Sequence, residues 1–271
     1  MTANTTPAIR LRNATKRFAT RSGAPFTAIT DVTLDVAPGE FVTIVGPTGC
    51  GKSTTLSLVS GLEPASEGSV EVHGRPVVGI PDGVGYMFQT DAVLPWKSVL
   101  DNVALGLRFR GTAKAEAAQR AREWIERVGL TGFEDRYPHQ LSGGMRKRVA
   151  MAQSLITEPS LLLLDEPFGA LDVQTRELMQ DELLDLWAGS GAAVVFVTHD
   201  LTEAISLADR VVVMTAGPAT VKDVVAIDLP RPRKVEEIRL TPEFSAIYRS
   251  VWDSLREEVE ITRARGAAHV A

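Results

Sequence analysis

The chain has 271 residues, of which 44% are hydrophobic and 23% charged, enough for one large domain or a domain with a subdomain and a substantial core. Its net charge of -5 excludes the electrostatic footprint of a general nucleic-acid binder. One cysteine, Cys50, excludes an internal disulfide and fits a reducing, cytosolic setting.

The start, MTANTTPAIRLRN, lacks the basic and apolar segments of a signal peptide. Strand-like runs follow at Ala8 to Asn13 and at Ala28 to Val36, where Ile29, Val32, Leu34 and Val36 alternate imperfectly with polar residues. Glu40 to Gly46 reads as a buried strand entering a glycine loop, and Lys52 to Leu62 as the helix after it. Gly68 to Gly74 and Gly83 to Gln89 are further strands bounded by Gly and Pro turns. From about Asp91 to Leu155 the character is helical, most clearly at Thr112 to Leu130 with Trp124, Ile125 and Val128 on one side. Strands resume at Ser160 to Asp165, Ala193 to His199 and Arg210 to Thr215, separated by helical segments. Alternation of this kind implies an α/β fold with a largely parallel sheet and an inserted helical subdomain. No apolar run, Ala192 to Val197 included, is long enough to span a membrane. Beyond PRPRK, Thr241 and Pro242 open a final helix whose stripe of Phe244, Ile247, Val251 and Leu255 suits packing on the core or a partner.

Between the third strand and its helix lies Gly46, Pro47, Thr48, Gly49, Cys50, Gly51, Lys52 and Ser53, followed by Thr54. This is a complete G-x-x-x-x-G-K-[ST] phosphate loop in the context that confirms it. Its glycines let backbone N–H groups converge on phosphate oxygens, and the helix directs its positive end there. Lys52 can reach the β- and γ-phosphates, and the Ser53 hydroxyl can ligate Mg²⁺. The apolar run Leu161 to Leu164 delivers Asp165 and Glu166 at a strand's carboxyl end, where ligands of open α/β sheets bind. Asp165 suits Mg²⁺, directly or through water, and Glu166 can orient or deprotonate an attacking water. Cys50 is a small filler or a reactive thiol; its place between a helix N-terminus and Lys52 predicts a lowered pKa, and thus ATP-protected inactivation by alkylation.

Other motifs narrow the class. LSGGM (Leu141 to Met145), Gln89 in YMFQ, Ala170-Leu171-Asp172 and His199 in VTHD stand in one order around the two phosphate-site motifs. Together they resemble the nucleotide-binding subunit of ABC transporters over almost the whole chain. That resemblance implies a P-loop NTPase core with a mostly parallel sheet, an N-terminal antiparallel β subdomain and an inserted helical subdomain that carries the signature. The expected organisation is a nucleotide-binding domain over 1–230, its helical subdomain at about 91–155, and a C-terminal helical extension over 231–271.

By the same resemblance, two copies pack head to tail. Ser142, Gly143 and Gly144 of one then reach the γ-phosphate held by the other's Lys52, a second anion site that residue chemistry supports. Asp172 crosses toward the other phosphate loop, and Gln89 senses Mg²⁺ and the attacking water. His199, which from the residues alone is equally a ligand or a capping group, contacts the γ-phosphate. Phe18 takes the place of the adenine-stacking aromatic, with a core role left open. The chain departs from the family's LSGGQ at Met145, which cannot make the glutamine's hydrogen bonds.

Val93, Leu94, Trp96 and Val99 follow Gln89, in the region that receives a coupling helix of the membrane-spanning subunit in the family. FQ followed by LPW, DNV and LGL looks most like the nitrate/sulfonate/taurine branch of importer ATPases. The implied cofactors are ATP and Mg²⁺. The implied partners are a second ATPase subunit, a polytopic permease and, indirectly, an external solute-binding protein, with the chain peripheral on the cytoplasmic face of the membrane. A soluble ABC ATPase uncoupled from transport, such as a cluster-assembly cassette, stays open as the alternative.

Overall fold

The computed structural model describes residues 6–20, 23–90 and 92–268. The first five residues of the expected leaderless start, and Asp91 at the expected edge of the helical subdomain, lie outside the described residues. The chain forms two compact units, one from residues 1–82 with 191–271 and one from 83–190.

The first unit opens with β1 (Ile9–Phe18) and β2 (Phe26–Val36), antiparallel with Ile9 opposite Val36 and Leu11 opposite Leu34. β1 runs five residues past the expected Asn13. Asn13 takes a left-handed φ of 50° at a bulge, after which Ala14, Thr15 and Lys16 are buried in succession. That run breaks the period-2 pattern by which a strand is recognised, and so the pattern in the sequence stops at Asn13. β3 (Phe41–Val45) is buried throughout and leads into α1 (Lys52–Val59); β4 (Glu67–Val72) and the short β5 (Arg75–Pro76) extend the antiparallel sheet on the other side of β1.

The second unit contains the parallel pair β6 (Val84–Met87) and β7 (Leu161–Asp165). Between them lie α2 (Val99–Val103), α3 (Leu105–Phe109), α4 (Lys114–Arg127) and α5 (Gly143–Leu155), and after them α6 (Val173–Trp187). Trp124, Ile125 and Val128 are all buried, as the helical periodicity of α4 requires. Asn102 on α2, fully buried, receives the Leu94 N–H and donates to the Leu94, Lys97 and Ser98 carbonyls. One amide thereby fixes the turn that projects Trp96.

The chain then returns to the first unit with β8 (Ala193–Val197), α7 (Leu201–Leu207), β9 (Arg210–Met214), β10 (Val221–Ala226), α8 (Val235–Ile238) and α9 (Pro242–Ala268). β8 and β9 flank β3 in parallel, so three buried strands carry the phosphate loop at their carboxyl ends. β10 pairs antiparallel with the outer edge of β9 and is an addition to the sequence reading; its half-buried face gives a weak apolar signal. Arg233, near the start of the expected C-terminal extension, is buried. Its guanidinium donates to the Ala208 and Leu229 carbonyls, and burial lowers its pKa to about 10.

α9 packs on α7, β9 and β10. The Thr241 hydroxyl accepts the Phe244 N–H at 3.2 Å, an N-cap as expected, while Phe244, Val251 and Leu255 are buried and Ile247 half-buried. On the same helix buried Glu258 accepts the Ala216 N–H at 2.8 Å and the Lys222 ammonium at 2.7 Å. Burial alone would raise this carboxyl's pKa, but Lys222 and the Ala216 N–H together hold it below the ordinary glutamate value. A depressed carboxyl stabilises the fold above its unfolded-state pKa, and the contribution fades as pH falls through the folded value. Glu258→Gln is therefore expected to destabilise by about 1–2 kcal/mol at neutral pH, with the gap to the parent narrowing as pH falls below the ordinary glutamate range. Chemical denaturation of both chains across that range checks it; a gap that widens on acidification refutes the assignment.

Candidate functional site

In the first unit, β3 ends in the loop Gly46–Gly51. Gly49 and Gly51 have φ of 74° and 127°, values that side chains rarely allow. At Gly51 an added Cβ would lie 2.5 Å from Ile29 Cγ2 and 2.9 Å from the Ala28 carbonyl oxygen, so β2 itself excludes any side chain there. Gly51 is the N-cap of α1 and supplies no side-chain acceptor, and the first turn holds no acidic residue. The first-turn N–H groups of α1 thus face the loop without a competing carboxylate. Lys52, only 5% exposed, folds back to donate to the Gly46 and Pro47 carbonyls at 2.9 and 3.1 Å. The loop holds an ammonium at its own mouth. Pro47 is buried, Thr48 and Ser53 are exposed, and Thr54 is half-buried.

Of the two expected roles for Cys50 the small filler holds, and the lowered thiol pKa is corrected. Its side chain is buried at 2% exposure, and burial raises the thiol pKa despite the opposing charge of Lys52 and the Lys52 N–H. The helix terminus and the cation were legible in the sequence; the apolar surroundings that outweigh them were not.

His199 is exposed, two residues beyond β8. Its turn is locked on both sides. The Thr198 hydroxyl donates to Glu203 Oε2 at 2.6 Å, and Asp200 caps α7 by accepting the Thr202 N–H at 2.7 Å. A cavity of about 480 Å³ has Gly46, Pro47, Thr48 and His199 on its wall together with Tyr248 and Trp252 of α9. Phe18 ends β1, half-buried, with the Lys16 ammonium 4.9 Å from its ring centroid. A half-open ring is not a core side chain, and it leaves surface for a flat ligand.

The second unit carries the remaining candidates. β7 is buried from Leu161 to Asp165, and Glu166 follows with a φ of 43°. A left-handed glutamate is strained by about 1 kcal/mol, and such strain concentrates at functional positions. Tyr86 points its hydroxyl at Asp165 Oδ2 across 3.5 Å, and its pKa is raised by burial and by the Asp165 charge. Gln89 Nε2 donates to Glu166 Oε2 at 3.3 Å. Lys147 of α5, buried, donates to the Gln89 carbonyl at 3.0 Å. Sequence reasoning passed over Lys147 and Tyr86, although Lys147 lies three residues past Gly144.

Ser142 is the N-cap of α5, its hydroxyl oxygen accepting the Met145 N–H at 3.2 Å, which leaves the O–H free to rotate toward an anion. A Cβ on Gly144 would meet Thr175 Cγ2 at 2.9 Å, so any side chain there would push that methyl of α6 aside. Asp172 caps α6 by accepting the Thr175 N–H at 3.0 Å, the contact that chiefly lowers its pKa. Each unit thus presents an uncapped or hydroxyl-capped helix start suited to anions, and the second adds a carboxylate for base chemistry.

A family model described as ABC transporter matches residues 29–169. The taurine import ATP-binding protein of Pseudomonas aeruginosa is 42% identical over 238 residues, covering 86% of this chain and 90% of that protein. The aliphatic sulfonates import ATP-binding protein of Bacillus subtilis is 40% identical over 247 residues, covering 91% and 94%. Among solved structures, a dimeric ATP-binding cassette in a post-hydrolysis state with ADP and Pi is 31% identical, with a TM-score of 0.73 over 82% of this chain and all of that one.

The buried thiol sets a test. N-ethylmaleimide should label native Cys50 at least about 100-fold more slowly than the denatured chain, followed by mass spectrometry. Rapid stoichiometric labelling of the folded protein would contradict the raised pKa and the burial together.

Proposed function

The chain belongs to the ABC transporter family, and from that premise we propose that it is the ATP-hydrolysing subunit of an importer for a small sulfonate-type solute such as taurine. The observation that carries this reading is the buried Lys52 ammonium at the uncapped start of α1, a site built for a polyphosphate. The taurine and sulfonate import proteins, similar over nearly their whole lengths, support the solute class.

On this reading the amides of Gly49 to Thr54 and the ammonium of Lys52 take the β- and γ-phosphates, exchanging the Gly46 and Pro47 carbonyls for phosphate oxygens. Phe18 stacks on the adenine. Two copies associate head to tail, as the dimeric cassette structures support, and Ser142, Gly143 and Gly144 of one neutralise the γ-phosphate bound by the other. Asp172 crosses the same seam. Glu166 accepts a proton from the attacking water, Gln89 orients both, and His199 donates to a γ-phosphate oxygen.

The donors Ser53, Asp165 and Gln89 are a hydroxyl, a carboxylate and an amide, hard oxygens that fit Mg²⁺. Among the described residues no cluster of three His, Cys, Asp or Glu side chains forms a metal cage, which suits an ion carried mostly by phosphates and water. When bound, that ion neutralises charge on the bridging phosphates.

No helix among the described residues is long and apolar enough to cross a membrane, so solute passage belongs to a permease partner. A groove of about 320 Å³ in the second unit, lined by Phe88, Leu105, Phe109 and Gln153 among others, offers that partner a seat. Phe109 is 82% exposed and Trp96 nearby in sequence 71%, and exposed aromatics of this size favour interfaces. The helical region at about 91–155 is thus the permease-facing subdomain, and 231–271 an extension of the catalytic domain. An external solute-binding protein delivers the solute, and the ATPase works at the cytoplasmic face of the membrane.

Glu166→Gln should lower turnover at least about 100-fold while ATP affinity stays within about threefold, measured by phosphate release and nucleotide titration. Retained turnover would remove Glu166 from the reaction. Phe109→Asp should preserve ATP hydrolysis by the isolated subunit but abolish co-purification with a polytopic membrane subunit and growth on taurine as sole sulfur source. Failure of the parent chain itself to support that growth would eliminate taurine as the solute.

A further inference from the structure

We propose that Lys147 is a positioning residue of the hydrolytic reaction, acting through Gln89 on Glu166; the proposal rests on the hydrolytic reading above. Three observations meet at this residue. Its ammonium is buried at 3% exposure inside α5, the helix that begins at the Ser142–Gly144 turn. It donates to the Gln89 main-chain carbonyl at 3.0 Å, and the Gln89 side chain in turn donates to Glu166 Oε2 at 3.3 Å. Glu166 itself sits at a left-handed φ of 43°, which needs surrounding contacts to persist.

Burying an ammonium is costly, and an apolar side chain of similar length would fill the same space without that penalty. Core packing alone therefore gives no reason for lysine at this position. Holding a carbonyl does. With its oxygen tethered, the Gln89 backbone presents the side-chain amide to the carboxylate that receives the water's proton, and one Glu166 oxygen is held by that amide. The path from the serine-glycine turn to the base runs through one rigid helix and two hydrogen bonds. Displacement of α5 when its N-terminus engages a phosphate is thereby felt at Glu166 through Lys147.

The test is a double-substitution cycle on the purified full chain with Lys147→Met, Gln89→Ala and both together, with Lys147→Arg as the conservative variant. Lys147→Met is expected to lower kcat about tenfold with KM for ATP within about twofold, and its Tm should equal or exceed that of the parent. Lys147→Arg should recover most of kcat. The double variant should be no slower than Gln89→Ala alone, since both remove one link. Losses that multiply in the double variant would overturn the proposal, as would an unchanged kcat in Lys147→Met or a lowered Tm with kcat and KM worsening together. If Lys147→Met fails to fold, Lys147→Gln takes its place in the same cycle. A parent chain without ATPase activity would instead overturn the hydrolytic reading, so the two failures are distinct.

Discussion

The phosphate loop depends on a steric constraint imposed from outside it. Ile29 and the Ala28 carbonyl of β2 press so closely on Gly51 that no side chain can occupy the position. Pinned from that side, the loop must turn through positive φ, and its amides and the first turn of α1 face inward. β2 is anchored in its own right. Thr30 N–H donates to the Ala219 carbonyl at 2.9 Å, and Ala219 N–H to Ala28 at 3.1 Å, which joins the antiparallel sheet to the loop after β9. The antiparallel subdomain is thus a mould for the glycine loop.

The second unit solves a different problem, that of presenting a carboxylate beyond a buried strand. Four leucines bury β7 completely, which fixes Asp165 at the strand's end and leaves Glu166 to leave the strand through a strained residue. Strain of this kind persists only where neighbours over-determine the conformation. Gln89 and, behind it, Lys147 are such neighbours. The helix that starts at Ser142 and the carboxylate of Glu166 are consequently joined by two hydrogen bonds through Gln89.

Much of this was legible in the sequence because its signals are local. A strand–glycine–lysine–helix order announces the phosphate loop, and runs such as Leu161 to Leu164 announce a buried strand. Trp124, Ile125 and Val128 lie on one face because helical periodicity depends only on spacing. Two misses share a physical cause: they depend on contacts between segments distant in the chain. Cys50 looked activated because its nearest sequence neighbours are a helix start and a lysine, yet long-range packing buries it and reverses the shift. Lys147 looked like one cation among three in MRKR until α5 turned it toward Gln89, 58 positions earlier. β1 was cut short at a bulge, and β10 escaped notice because an edge strand buries only half of its residues.

The last helix has a consequence for the phosphate loop. Near its end Arg265 donates to the Gly217 carbonyl, about two turns after Glu258 secures Ala216. A Cβ added to Gly217 would lie 3.7 Å from the Cys50 carbonyl oxygen, in ordinary van der Waals contact with the phosphate loop. Substitutions along one flank of α9 can therefore retune the catalytic cradle while every signature motif stays letter-perfect. The shape of the loop is therefore set in part by a helix that carries none of the motifs.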